Sequence, residues 1–259
     1  MRISIITPSF NQCRFLSRTA RSILSQKGDF DLEWLILDGG STDGTVDLLK
    51  SVSDPRARWI SEPDRGQSHA INKGLAMATG EVVAWLNSDD VYLPGALATV
   101  VAAFTEHREA QWLVGRCQII DRDDRVIRSA IAAYKDRALD RYRYRALLRE
   151  NFISQPAVFW RRGFGNSVGA LDESLHWTMD YDFWLRMGAR CEPLILDVAL
   201  AQFRLHETSK SSVVDRRQFD EQYRVALRYL GDDRLSRAIH RFNVEKIVWA
   251  YRVLRFTGW

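Results

Sequence analysis

Cysteine is scarce and unpaired. Cys13, Cys117 and Cys191 are an odd number without paired spacing, so the chain encodes neither a disulfide framework nor a zinc knuckle, and a reducing cytoplasm is the compartment expected. Long apolar runs are missing as well. None approaches the roughly 18 residues of a membrane-spanning helix, and Met1-Arg2 leads directly into the alternating Ile3, Ile5 and Ile6, so no signal peptide is expected either. Surplus charge is small: 37 Lys and Arg against 33 Asp and Glu leave +4 over 259 residues, too little to argue for a nucleic-acid partner. After the first strand there is no glycine-rich phosphate loop of the G-x-G-x-x-G or Walker kind, which argues against a dinucleotide cofactor and against P-loop hydrolysis. Repeats and low-complexity linkers are absent too. What is present, 46% hydrophobic and 27% charged residues, has the balance of one globular unit with a sizeable core.

The order of elements is legible from punctuation and periodicity. Residues 2–7 (RISIIT) read as a strand, Pro8 to Asn11 as a break, and Phe15, Thr19, Ile23 and Leu24 as a helix. The unit recurs as strand 33–37, loop Asp38 to Gly44 and a helix through Val46, Leu49 and Val52. A strand at 58–60, a turn at 62–66, a helix at 68–79 and a strand at 82–86 follow. Alternating strands and short helices predict an α/β fold with a mostly parallel sheet covered on both faces. Ligands then bind at the carboxyl ends of the strands, where the loops 7–11, 38–43 and 87–90 converge. Further on, the pattern predicts a helix over 94–107, strands over 112–120 and 126–131 and a helix over 134–149. A further apolar stretch at 157–160, a helix within 172–188, a strand over 194–203 and helix from about 216 to the end complete it.

Chemistry concentrates where strands end. Trp85 to Asp90 (WLNSDD) closes a buried strand on adjacent carboxylates, and such charge calls for a cation. Oxygen ligands on a short loop suit Mg²⁺ or Mn²⁺, whose shell substrate phosphates complete; alternatively, Asp90 caps the helix that follows. Asp38, at the end of the second strand, can accept from ribose or base donors, while Ser41, Thr42 and Asp43 read as loop caps.

Taken together, SIITPSFNQCRFL, LILDGGSTDGT, EPDRGQSHAINKGLAMATGEVVAWLNSDD, TMDYDFWLR and FRLHETSKSS resemble the family 2 glycosyltransferases, inverting enzymes of the GT-A type that use nucleotide-diphosphate sugars. The resemblance covers residues 1 to about 212. It implies a single GT-A-type domain, with a nucleotide-sugar-binding lobe at 1–115, an acceptor lobe at 116–212 and a helical extension at 213–259. It further implies that Thr7, Pro8 and Ser9 line the nucleotide pocket, that Asp38 contacts base or ribose, and that Asn87-Ser88-Asp89 stands at the family's D-x-D motif. Asp89 is then the direct ligand of Mn²⁺ or Mg²⁺ and Asn87 a neutral contact to ribose or water. Arg65, Gln67 and His69 are candidates for phosphate or sugar contacts, and His206 for the metal shell or the diphosphate. In Thr178-Met179-Asp180 the family's common Glu-Asp pair reads Met-Asp, which leaves Asp180 as the base that takes the acceptor's proton. Asp180 could equally cap the helix 181–187, and Asp182 has the i, i+4 spacing for an ion pair with Arg186.

The reaction implied is transfer of a sugar, from a UDP sugar, to a hydroxyl of a saccharide or lipid-linked acceptor in cell-surface polysaccharide or glycolipid assembly. Two other readings stay open: nucleotidyl transfer on sugar phosphates, and a non-catalytic carbohydrate-binding relative, which Asn87 and Met179 suggest. Phe152, Trp160, Trp177 and Tyr181 either flank an acceptor or pack in the core. Six basic and two acidic residues fall within 134–149. Ile239, Phe242, Trp249, Val253 and Phe256 recur at helical spacing among Arg241, Lys246, Arg252 and Arg255. That helix either packs on the domain or touches the inner face of a membrane as a peripheral anchor.

Overall fold

The computed structural model describes residues 1–210 and 216–256. Its first half alternates β1 (Arg2–Ser9), α1 (Cys13–Leu24), β2 (Asp31–Asp38), α2 (Thr45–Ser51), β3 (Ala57–Ser61), α3 (Gln67–Met77) and β4 (Val82–Trp85). Next come β5 (Val91–Tyr92), α4 (Ala96–Glu106), β6 (Trp112–Ile120), β7 (Val126–Ile127), α5 (Ser129–Asp140), α6 (Tyr144–Leu147), β8 (Val158–Arg161) and α7 (Arg162–Val168). The chain continues with α8 (Met179–Gly188), β9 (Leu194–Arg204), α9 (Arg216–Leu230) and α10 (Arg234–Phe256).

Among the described residues the strands form one sheet in the order β3-β2-β1-β4-β8-β6-β9-β5, with β7 paired to β6. β3, β2, β1 and β4 are parallel. β8 runs antiparallel to both β4 and β6, and β9 is parallel to β6. Two reversals cancel, so β9 points the same way as β4 and their carboxyl ends open on the same side. That geometry later brings residues 87–90 and 204–206 together.

Strand alternation splits the core between the two faces of the sheet. Ile3, Ile5, Trp34 and Ile36 pack with Leu16, Ile23, Val100 and Phe104 on one face, under α1 and α4. Ile6, Leu35, Leu37, Trp85 and Trp160 pack on the other with residues of α3, α8 and α9. There Trp184 stacks on Trp85, with centroids 5.2 Å apart, and on Trp112 at 6.3 Å. Phe152, Trp160 and Tyr181 belong to this core, which takes them away from the acceptor side; of the four aromatics only Trp177 lines the cleft described below.

The structure departs from the sequence reading at three places. The helix expected over 134–149 is two pieces, because Tyr142 turns inward edge-on to Trp112 and Phe152, and it starts early, so the strand expected over 126–131 ends at Ile127. The C-terminal helix breaks at Gly231, whose φ of 50° lies in the left-handed region. Finally, the boundary expected at 212 does not separate two cores: Val225, Ala226 and Leu230 of α9 share one cluster with Trp184 and Leu185. α10 adds Val244 and Val248 against Phe219 of α9, while Leu235 and Phe242 face outward. Trp249, Val253 and Phe256 lie outside the residues whose side chains are described.

Candidate active site

A cleft of about 620 Å³ opens at the carboxyl ends of β1, β2 and β4. Its first wall is made by two loops tied together. The Asn11 amide donates to Ser41 Oγ at 2.7 Å, Asn11 Oδ1 accepts from the Thr42 amide at 2.9 Å, and the Cys13 amide donates to Asp43 Oδ2 at 2.9 Å. Asp38 organises the second loop from below, accepting from the Gly40 and Ser41 amides, from Ser41 Oγ at 2.5 Å and from Ser61 Oγ at 2.6 Å. Gly40, with φ of 83°, makes that reversal possible. Pro8, Ser9 and Gly39 face the cleft, and Phe10 forms its rim at 61% exposure.

The floor is the end of β4. Asn87 accepts from Gln67 Nε2 at 2.8 Å and donates to Gln155 Oε1 at 3.2 Å, and Gln155 in turn donates to the Trp85 carbonyl at 2.7 Å. Ser88 and Asp89 face the cleft. Asp90 does not: it is fully buried and accepts from the Arg204 amide at 2.8 Å. Burial, and then the neighbouring Asp89, push the Asp90 carboxyl well above the usual value. It therefore holds the turn rather than capping α4.

Arg204 locks this loop from behind. Its guanidinium is fully buried, donates to the carbonyls of Asp89 at 2.7 Å and Asp121 at 3.0 Å, pairs with Asp124 at 2.5 Å and lies over the Phe15 ring at 5.3 Å. Two residues on, His206 places Nε2 3.0 Å from Asp89 Oδ2 and Nδ1 2.9 Å from Thr208 Oγ1.

The opposite wall carries His176, Trp177, Met179 and Asp180 at the start of α8, together with Lys210. Burial pushes the Asp180 carboxyl up to about 6, against the opposing pull of the Tyr181 amide and Lys135. Lys210 donates to Gln67 Oε1 and to the His176 carbonyl, each at 3.1 Å, and so bridges the two walls. Burial draws its ammonium below the usual value. Asp182 pairs with Arg186 at 2.9 Å, as its spacing predicts, and also accepts from Tyr229 on α9.

Of the residues picked from sequence, Pro8, Ser9, Gln67, Asn87, Ser88, Asp89 and Asp180 share the cleft. The others lie outside the cleft lining among the described residues. Thr7 lies within β1 with its side chain buried, and its hydroxyl accepts from the Trp34 indole at 2.9 Å. Arg65 is turned outward into an ion pair with Glu173 at 2.8 Å, and His69 accepts from the Arg65 amide. Asp38 has both oxygens engaged by its own loop, and Gly39 is what faces the cleft. His206 stands behind Asp89 rather than in the cleft wall. Lys210, Gln155 and Glu221 were missed; Lys210 lies inside FRLHETSKSS, whereas nothing local marks the other two.

The fold is that of the GT-A glycosyltransferases. The Glycosyl transferase family 2 model matches residues 4–165, and the chain belongs to that family. An uncharacterized glycosyltransferase of Nostoc sp. is 37% identical over 133 residues, 50% of this chain and 41% of the relative. A PGL/p-HBAD biosynthesis glycosyltransferase of Mycobacterium bovis is 31% identical over 71% of this chain and 68% of its own. Among solved structures, the mannosyltransferase PcManGT from Pyrobaculum calidifontis, in complex with GDP-Man and Mn²⁺, superposes with a TM-score of 0.69 at 17% identity, covering 94% of this chain and 69% of that one. S. aureus TarS 1-349 with UDP-GlcNAc gives 0.67 at 18%, covering 89% and 67%. These last two likenesses are of fold.

Replacing Arg204 by Met strips donors from two buried carbonyls and is expected to cost about 2–4 kcal/mol. Urea denaturation will read this as an earlier midpoint, accompanied by weaker UDP binding as the 87–90 turn loosens. An unchanged midpoint would show that the guanidinium does not hold the turn.

Proposed function

We propose that this protein is an inverting glycosyltransferase that moves a sugar from a nucleotide-diphosphate sugar, a UDP sugar, to a hydroxyl of a saccharide or lipid-linked acceptor, in cell-surface polysaccharide or glycolipid assembly. The observation that carries this reading is the sharing of one cleft by two carboxylates of different character. Asp180 is half-buried with its carboxyl raised to about 6, and Asp89 stands at the end of β4.

An inverting displacement needs a base on the acceptor's side and charge neutralisation on the leaving group's side. Asp180 Oδ2 is the base: its Oδ1 accepts from the Tyr181 amide at 2.7 Å, which leaves the other oxygen for the acceptor hydroxyl's proton. A raised value keeps that carboxylate basic enough to hold the proton while still ionised near neutrality. Pro8, Ser9 and Gly39 form the nucleotide wall, and the Gln67–Asn87–Gln155 amide chain offers donors and acceptors to ribose or sugar hydroxyls. Among the described residues lining the cleft, Lys210 is the lysine or arginine available to meet the donor's diphosphate.

The donor set also fits a divalent cation. Among the described residues no group of three His, Cys, Asp or Glu side chains could hold a metal ion. Asp89 with His206 at 3.0 Å nevertheless suits Mn²⁺ or Mg²⁺ bound through one carboxylate, with diphosphate oxygens and water completing the shell. When bound there, the cation neutralises charge developing on the departing diphosphate.

Among the described residues no helix is long and apolar enough to cross a membrane. On α10, Leu235 and Phe242 are exposed at 62% and 69% beside Arg234 and Arg241, an apolar and basic face suited to peripheral contact with anionic lipid at the cytoplasmic surface.

Asp180→Asn is expected to lower kcat by about 10²- to 10⁴-fold with UDP affinity retained, and the wild-type rate is expected to fall as pH drops below about 6, where Asp180 takes up its proton. Steady-state turnover with UDP, rather than pyrophosphate, as the released product checks both; near-normal turnover in the variant would move the base elsewhere.

Asp89→Ala is expected to abolish the dependence of UDP affinity on Mn²⁺ in calorimetry. Equal wild-type affinity with Mn²⁺ and with EDTA would remove the cation from the reading and leave Lys210 to neutralise the diphosphate.

The wild type is expected to sediment with anionic liposomes at low salt, and Phe242→Ser with Leu235→Ser to weaken this while nucleotide binding stays intact. Wild type wholly in the supernatant would sink the membrane contact.

A further inference from the structure

We propose that Glu221, carried on α9 well outside the segment that the family model matches, is the positioning residue for Asp180: its buried carboxylate fixes the turn from which the Asp180 helix starts. This rests on Asp180 being the base.

The geometry is that of a cap supplied from another element. Glu221 Oε1 accepts from the Trp177 amide at 2.8 Å, the Thr178 amide at 2.9 Å and Thr178 Oγ1 at 2.8 Å, and Oε2 accepts from the His176 amide at 3.1 Å. Three amides and a hydroxyl on one carboxylate hold the turn immediately before α8, and the Thr178 amide, at the N-cap, is one that the helix itself leaves without a partner. From within the helix only Asp180 accepts from a first-turn amide, that of Tyr181: Thr178 occupies the N-cap position but makes no side-chain cap, and Met179 has no acceptor to offer. Glu221 is 5% exposed. Burial alone would raise its carboxyl, yet the amides of Trp177, His176 and Thr178 together with the Thr178 hydroxyl hold it below the usual value, so it is ionised at working pH.

An ionised carboxylate here does more than hold a turn. Its negative charge adds to the burial that raises Asp180. It also favours the ammonium of Lys210, which donates to the carbonyl of His176, the residue whose amide Glu221 holds. One side chain that touches neither reacting atom thus acts on both groups, adding to burial at Asp180 and opposing it at Lys210. The other charged groups facing Asp180 are Lys135 of α5 and Lys210; Glu150 lies beyond Lys135, and His176 stands beside Lys210 and Glu221.

The test compares Glu221→Gln and Thr178→Val with wild type in steady-state kinetics across pH, using UDP calorimetry and thermal melts to show that each variant is folded. Glu221→Gln keeps the shape and removes the charge, so kcat is expected to fall by about 10- to 100-fold with donor KM little changed, and the acid limb of kcat to move to lower pH as the neighbouring charge disappears. Thr178→Val removes one donor and leaves the charge; a smaller fall in kcat with the acid limb in place is expected. A Glu221→Gln enzyme that melts earlier yet keeps the wild-type kcat and acid limb would overturn the proposal and leave Glu221 a structural cap. If Glu221→Gln does not fold, a Thr178→Val enzyme with unaltered kcat overturns it. Failure of the base assignment reads differently, as normal turnover in Asp180→Asn.

Discussion

Two carboxylates in consecutive positions at the open end of a buried strand repel one another, and the arrangement around Asp89 and Asp90 answers that constraint. Asp90 is buried and raised well above the usual value, so Asp89 is the one presented to the cleft. Arg204 reaches in from β9 to grip the backbone of Asp89 by its carbonyl and lends its own amide to Asp90. Such a contact requires β9 to end on the same side as β4, which the paired reversals through β8 achieve. The acidic turn and the returning strand are therefore one assembly held by a guanidinium from far along the chain.

Much of the first half was legible because each element there is local. Alternation at Ile3, Ile5 and Ile6, the glycines after Asp38 and the abrupt end of WLNSDD each mark a strand, a turn or a charged terminus without reference to anything distant. Site residues were harder, since the type of a residue says little about where its side chain is spent. Asp38 and Thr7 are picked from sequence as pocket residues, and the sequence does not show that Asp38 also organises its own loop or that Thr7 accepts from Trp34. Glu221 and Gln155 were invisible for the converse reason: their partners lie 43 to 45 residues away in one case and 70 in the other. The break at Tyr142 belongs to the same class, because it answers a tryptophan in another strand.

The C-terminal segment is better seen as part of the catalytic body than as an appendage. α9 contributes Val225 and Leu230 to the tryptophan core, Tyr229 to Asp182 and Glu221 to the turn before α8. α10 then closes over it through Val244 and Val248.

The position of β8 also bears on how the chain is made. Residues 158–161 sit in the sheet between strands from 82–85 and 112–120. During synthesis the facing edges of β4 and β6 therefore emerge long before the strand that joins them, and they carry Val82, Val83, Trp112 and Leu113 with unpaired backbone groups. Open apolar edges of this kind recruit other chains. The sheet closes only when β8 slots in, and β9 can add to β6 only later still. Such distant pairings slow folding, and the facing edges of β4 and β6 stay open from the translation of residue 120 until residue 161 has emerged.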